Sequence, residues 1–84
     1  MLAAAMRPRT WVQVIDANNE RVVGSYVIDA VLTEDEVTRL LIGLDKKKII
    51  KLPKLFVLEV DIGDAPPPTA DDWLGLPSGI PLDP

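Results

Sequence analysis

The side chains of this sequence that could do chemistry are few. The aliphatic hydroxyls Thr10, Ser25, Thr33, Thr38, Thr69 and Ser78 are the nucleophile candidates, because the chain has no cysteine and no histidine. A hydroxyl attacks only with a base beside it, and histidine is the usual base and the usual transition-metal ligand. None of the hydroxyls stands in a nucleophile-elbow or Ser-x-x-Lys pattern. Gly24, Gly43 and Gly63 are scattered, so no phosphate-cradling loop is spelled out. Asp61 and Asp64, or Asp71 and Asp72, offer oxygen ligands for a hard cation, but the alternating ligands and distal glutamate of a calcium loop are missing. The plainer reading makes Asp61 and Asp64 a strand end and a turn, and Asp71 and Asp72 the first turn of a short helix capped by Thr69. The expectation is no catalysis, no cofactor and no metal.

Charge is the other chemistry available. Lys46, Lys47, Lys48, Lys51 and Lys54 form a basic cluster, a possible patch for an anionic partner. The net charge of −4 and the lack of aromatic residues among the lysines argue against nucleic acid. The plainer reading is a helix C-terminus complemented by lysines; a third is docking of the acidic tail or of a partner's acidic surface. Residues 1–60 are nearly neutral, while residues 61–84 carry five aspartates and no basic residue. No run approaches the ~20 apolar residues of a membrane span. Arg7 and Arg9 follow the short apolar start instead of preceding it, which is not the order of a signal peptide. With no cysteine, this suggests a cytoplasmic or otherwise intracellular protein.

The elements that would position these residues can be read in order. "TWVQVID" (10–16) and "RVVGSYVIDAV" (21–31) are rich in β-branched and aromatic residues, and Asn18-Asn19 suits the turn of a hairpin. That register sets Asp16 opposite Arg21, Ile15 opposite Val22 and Trp11 opposite Tyr26. It also puts Trp11, Gln13, Ile15, Val22, Tyr26 and Ile28 on one face, and Val12, Val14, Val23, Ser25 and Val27 on the other. A helix over 34–46 follows from a capping box at Thr33 and Glu36, a Leu32–Val37 staple, and an apolar stripe of Val37, Leu40, Leu41 and Leu44. After Pro53, Phe56, Leu58, Val60 and Ile62 alternate with Val57, Glu59 and Asp61, giving a half-buried strand that ends at Gly63-Asp64. Residues 49–52 are a candidate short strand. The fold expected is α+β, a small two-layer β-β-α-β(β) domain over 10–64, with the last strand parallel to the first. Residues 1–9 form a flexible lead.

The order is similar to the ubiquitin-like β-grasp fold. "TEDEVTRLLIGLDKKK" followed by "KLFVLEVDI" resembles the ubiquitin-like leading domain of Crinkler-type proteins over roughly residues 10–62. That resemblance implies a binding or targeting module and does not account for the tail.

The tail, "APPPTADDWLGLPSGIPLDP" (65–84), holds six of the eight prolines. It is also apolar, through Trp73, Leu74, Leu76, Ile80 and Leu82. The hairpin is apolar on both faces, so one face takes the helix and the other needs a cover. Three readings follow. In the first, the chain is a non-enzymatic interaction module, a small accessory subunit or adaptor. It would dock on a protein partner, or on its own copies, through the tail residues and the face of Val12, Val14, Val23 and Val27. In the second, it is an acidic inhibitor, of viral or mobile-element origin, blocking an enzyme or a nucleic-acid-binding site. In the third, it is a monomer whose tail covers its own sheet, with Trp73 and Leu74 on a helical turn after Thr69.

Overall fold

The computed structural model describes residues 7–77. The elements run β1 (Arg9–Asp16), β2 (Arg21–Ile28), α1 (Glu34–Lys46), β3 (Phe56–Gly63) and β4 (Leu74–Gly75). The strands form one mixed sheet in the order β3-β1-β2-β4, and α1 packs on one face of it. This is the α+β, helix-on-sheet class expected. No described helix is long and apolar enough to cross a membrane. Strand β1 begins at Arg9, inside the stretch expected to be flexible, and residues 1–6 lie outside the described residues.

The helix forms where its sequence places it. Thr33 accepts a hydrogen bond from the Glu36 N–H, and the Glu36 carboxylate accepts one from the Thr33 N–H, so the capping box is complete. Such a cap is worth about 1 kcal/mol. Val37, Leu40, Leu41 and Leu44 are all buried. At the other end the Lys48 N–H donates to Asp45 O (3.0 Å) and the Ile49 N–H to Leu44 O (2.9 Å), a Schellman closure. It requires a left-handed residue, and Lys48 supplies it at φ 62° where glycine would be unstrained. Residues 49–55 are irregular and contain no strand, contrary to expectation. Ile50 is nevertheless buried, and the Leu52 N–H donates to Asp45 Oδ1 (3.0 Å).

Two features of the sheet differ from the sequence reading. The first is direction. β3 pairs with β1 antiparallel, not parallel. A helical crossover does lay a strand parallel to the one it leaves, but it leaves β2, which the hairpin has already reversed. β2 and β3 are therefore parallel, with β1 between them. The second is register. Asp16 faces Arg21 and Ile15 faces Val22 as expected, but Val14 then faces Gly24, leaving Val23 as a bulge. From there on every partner moves by one: Trp11 faces Val27, and Tyr26 faces Val12. A one-residue slip turns each side chain to the opposite face. Tyr26 and Ile28 thus join Val12 and Val14 under the helix, while Ser25 and Val27 turn to the Trp11 face. The positive φ of the turn falls on Glu20, not on either asparagine; Asn19 instead accepts from the Arg21 N–H through Oδ1.

Gly24 is needed at the bulge. A Cβ there would sit 2.6 Å from Cε2 and Cζ of Tyr26, whose ring lies over the glycine. Burial pushes the Tyr26 hydroxyl above its ordinary pKa. In β3, Phe56, Leu58 and Val60 pack on the core, while Ile62, expected with them, is exposed. Two substitutions of opposite sign test this description by urea unfolding. Gly24→Ala should displace the Tyr26 ring and destabilise by roughly 1–3 kcal/mol. Lys48→Gly should relieve the left-handed position and stabilise by about 0.5–1 kcal/mol.

Candidate functional site

The structure uses most of the hydroxyl groups as local ties. Thr10 is fully buried; its Oγ1 donates to Ala30 O and accepts from the Leu32 N–H (3.0 Å), pinning the segment that leads into α1. Thr33 caps the helix, and Thr38 Oγ1 donates to Glu34 O (2.9 Å). Ser25 Oγ accepts from Gln13 Nε2 (3.3 Å). Ser78 lies outside the described residues. Among the described residues no three acidic, histidine or cysteine side chains gather to hold a metal ion. Asp71 and Asp72 are exposed on an irregular segment and do not open a helix.

The five lysines are all exposed, as are Ile49 and Leu55 beside them. A shallow depression of about 480 Å³ lies between Lys48 and Lys51, floored by Asp45, Ile49 and Ile50. Lys46, Lys47 and Lys48 sit at the C-terminus of α1, where cations complement the helix dipole. The described part of the tail does not dock on them.

That tail instead crosses the sheet face opposite the helix. The Thr69 carbonyl receives Gln13 Nε2 at 3.5 Å. Trp73 then meets Trp11 edge to face, with ring centroids 5.2 Å apart and planes at 80°. Trp11 is 5% exposed, and its Nε1 donates to Gly63 O (2.9 Å). The Nε1 of Trp73 is buried and has no acceptor among the described residues. Leu74 and Gly75 add β4 alongside Tyr26 and Val27 of β2, in parallel. The Leu76 N–H donates to Val27 O (3.0 Å), and the Leu76 side chain, 7% exposed, enters the core on the helix side. The tail therefore crosses from the end of β3, over β1, to the outer edge of β2.

These positions revise the docking residues read from the sequence. Val12 and Val14 are core residues under α1 and are closed to a partner. Val23 is the bulged residue, exposed beside Asp16, Lys51, Leu52 and Pro53. Val27 is half-buried next to β4. Trp73 and Leu76 are occupied within the chain, and Leu74 is exposed on an extended segment, not a helical turn. Ile80 and Leu82 lie outside the described residues.

What the described part of the tail leaves bare is a row the sequence reading missed. Val57 of β3, Ile15 of β1 and Val22 of β2 face one another across three strands at the turn end of the open face. Val57 is 55% exposed and Val22 49%. Leu55, 61% exposed, extends the line of β3 one residue before Phe56, its carbonyl accepting from the Ala17 N–H (3.1 Å). The sequence does carry a signal for this row: Val57 is the apolar member of the Val57, Glu59, Asp61 set, where a solvent face would carry a polar residue. No protein-family model, curated protein or solved structure matches the chain.

The covering role of the tail gives a graded expectation, read by thermal unfolding and by acrylamide quenching of Trp11. Leu76→Ala should cost about 2–4 kcal/mol, since it empties a core position. Trp73→Ala should cost roughly 1–3 kcal/mol and make Trp11 quenchable. Trp73→Phe should do much less, because it keeps the ring contact and the lost N–H has no acceptor among the described residues.

Proposed function

We propose that this chain is a non-enzymatic protein–protein interaction module. It docks through the part of its open sheet face that the described part of the tail leaves bare. The observation that supports this reading is the row of Val57, Ile15 and Val22 with Leu55 at its end. Exposed apolar patches on a protein surface mark interaction sites when they are contiguous and large, and this row joins neighbouring strands. The described tail acts as an internal cover that shapes this surface, since Trp73 and Leu76 are already engaged. A second reading, a self-sufficient monomer closed by its own tail, draws on the same Trp73 and Leu76 contacts. The bare row is what favours the first reading over the second, because a contiguous exposed apolar patch suits a docking surface.

The test is capture of protein partners from the native source by full-length protein, wild type against Val22→Ser, Leu55→Ser and Leu74→Ser. The first two should lose the partner that the wild type holds, with little change in melting temperature. Leu74→Ser should keep it, because Leu74 is exposed away from the row. Equal capture by all of them would remove the row as the docking surface.

A further inference from the structure

β3 is an outermost strand of the sheet. Its inner side is paired with β1 along its whole length, from Arg9–Gly63 to Asp16–Phe56. Its outer side has no backbone partner among the described residues. Free edges are a template for another chain, and proteins guard them with proline, a bulge, very short length or charged side chains. β3 has no proline and no bulge, and runs eight residues, about 27 Å, in unbroken register; of these guards it carries only charge, in Glu59 and Asp61. The opposite edge offers a contrast, since β4 is laid along part of β2.

A second copy of this chain is the first occupant to weigh. A twofold antiparallel pair keeps each sheet face continuous only when facing residue numbers sum to an even value. The two longest such registers centre on Glu59 and on Val60. The first sets Glu59 against Glu59, and the second sets Glu59 against Asp61 twice. Like charges directly opposed destabilise a ladder, so β3 disfavours its own copies. The same residues define the complement. On the open side Glu59 and Asp61 are exposed at a two-residue spacing; on the helix side Leu58 and Val60 are only half-buried.

We propose that the β3 edge takes up an extended segment of a partner protein, carrying Lys or Arg opposite Glu59 and Asp61 and apolar residues opposite Leu58 and Val60. Main-chain hydrogen bonds hold the added strand, and the charge pairs select it. This names the class of partner for the interaction module and rests on that reading.

The test uses the full-length chain and two eight-residue peptides, one alternating lysine with valine and one alternating glutamate with valine. The lysine peptide should bind and slow hydrogen exchange at alternate β3 amides, and the glutamate peptide should not. Glu59→Gln with Asp61→Asn should weaken the lysine peptide about tenfold. Glu59→Lys with Asp61→Lys should reverse the preference; thermal unfolding checks that both variants remain folded. Equal uptake of both peptides, no protection in β3, or pairing of wild-type chains through β3 would overturn the proposal. Those results would leave the reading of the bare row standing, because that is measured at Val22 and Leu55, outside the edge strand. Conversely, loss of the partner in Leu55→Ser with peptide uptake intact would show that the row and the edge act separately.

Discussion

One extra residue in β2 governs the rest of this structure. With Val23 set aside as a bulge, the second half of the strand turns over, and Tyr26 and Ile28 come to lie with Val12 and Val14 against the stripe of α1. Without it, Ser25 and Val27 would face the helix, and the two largest apolar side chains of the strand would point away from it. The core gains volume, and the opposite face receives Trp11, Gln13, Ser25 and Val27, which is the surface the tail crosses. The bulge thus decides both what the helix covers and what the tail must cover. Gly24 makes the arrangement possible, because the Tyr26 ring occupies the space a Cβ would take.

The tail answers a problem of size. A domain of about sixty residues with no cysteine for a disulfide has few ways to bury the second face of its sheet. A second helix would require a long regular segment. A proline-rich crossing needs less, since its residues lose little backbone entropy on docking. Two anchors then suffice: Trp73 set edge to face against Trp11, and Leu76 placed around the edge of β2 into the core. The cover by the described tail is partial because the crossing reaches β2 near Tyr26 and Val27, away from the turn end of the face.

How much of this was legible depends on how local the signal is. The helix, its cap and its buried stripe could be read in full, because capping and 3.6-residue periodicity act within a few residues. The hairpin was legible as far as Ile15 and Val22. Beyond them a lone glycine inside a strand pattern, Gly24, was the sign of a bulge, and pairing by symmetry passes over it. The direction of β3 follows from β2, the strand the crossover leaves, and reading it from β1 gives the wrong sign. Trp73 and Leu76 were visible as anchors, but their side chains are equally apolar whether the surface they meet is their own or a partner's. That distinction lies in long-range packing, which periodicity does not encode. Val57 and Leu55 were obscured because each looks ordinary until its strand has a face and an edge.

The separation of charge between residues 34–36 and residues 46–48 follows from the helix. Glu34, Asp35 and Glu36 are drawn to its N-terminus and Lys46, Lys47 and Lys48 to its C-terminus by the same dipole. The crossover fixes where those ends fall. α1 starts near Thr10, which ties down Leu32, and the chain returns to β3 opposite Asp16, so acids gather near one end of the sheet and lysines near the other. Charges that a cap already requires carry little information about a partner. Glu59 and Asp61 are different: they lie on an edge strand, outside both helix termini, and no basic side chain among the described residues forms an ion pair with either. On a strand whose other exposed residues are Val57 and Ile62, they are the charged side chains along an edge that has no backbone partner among the described residues.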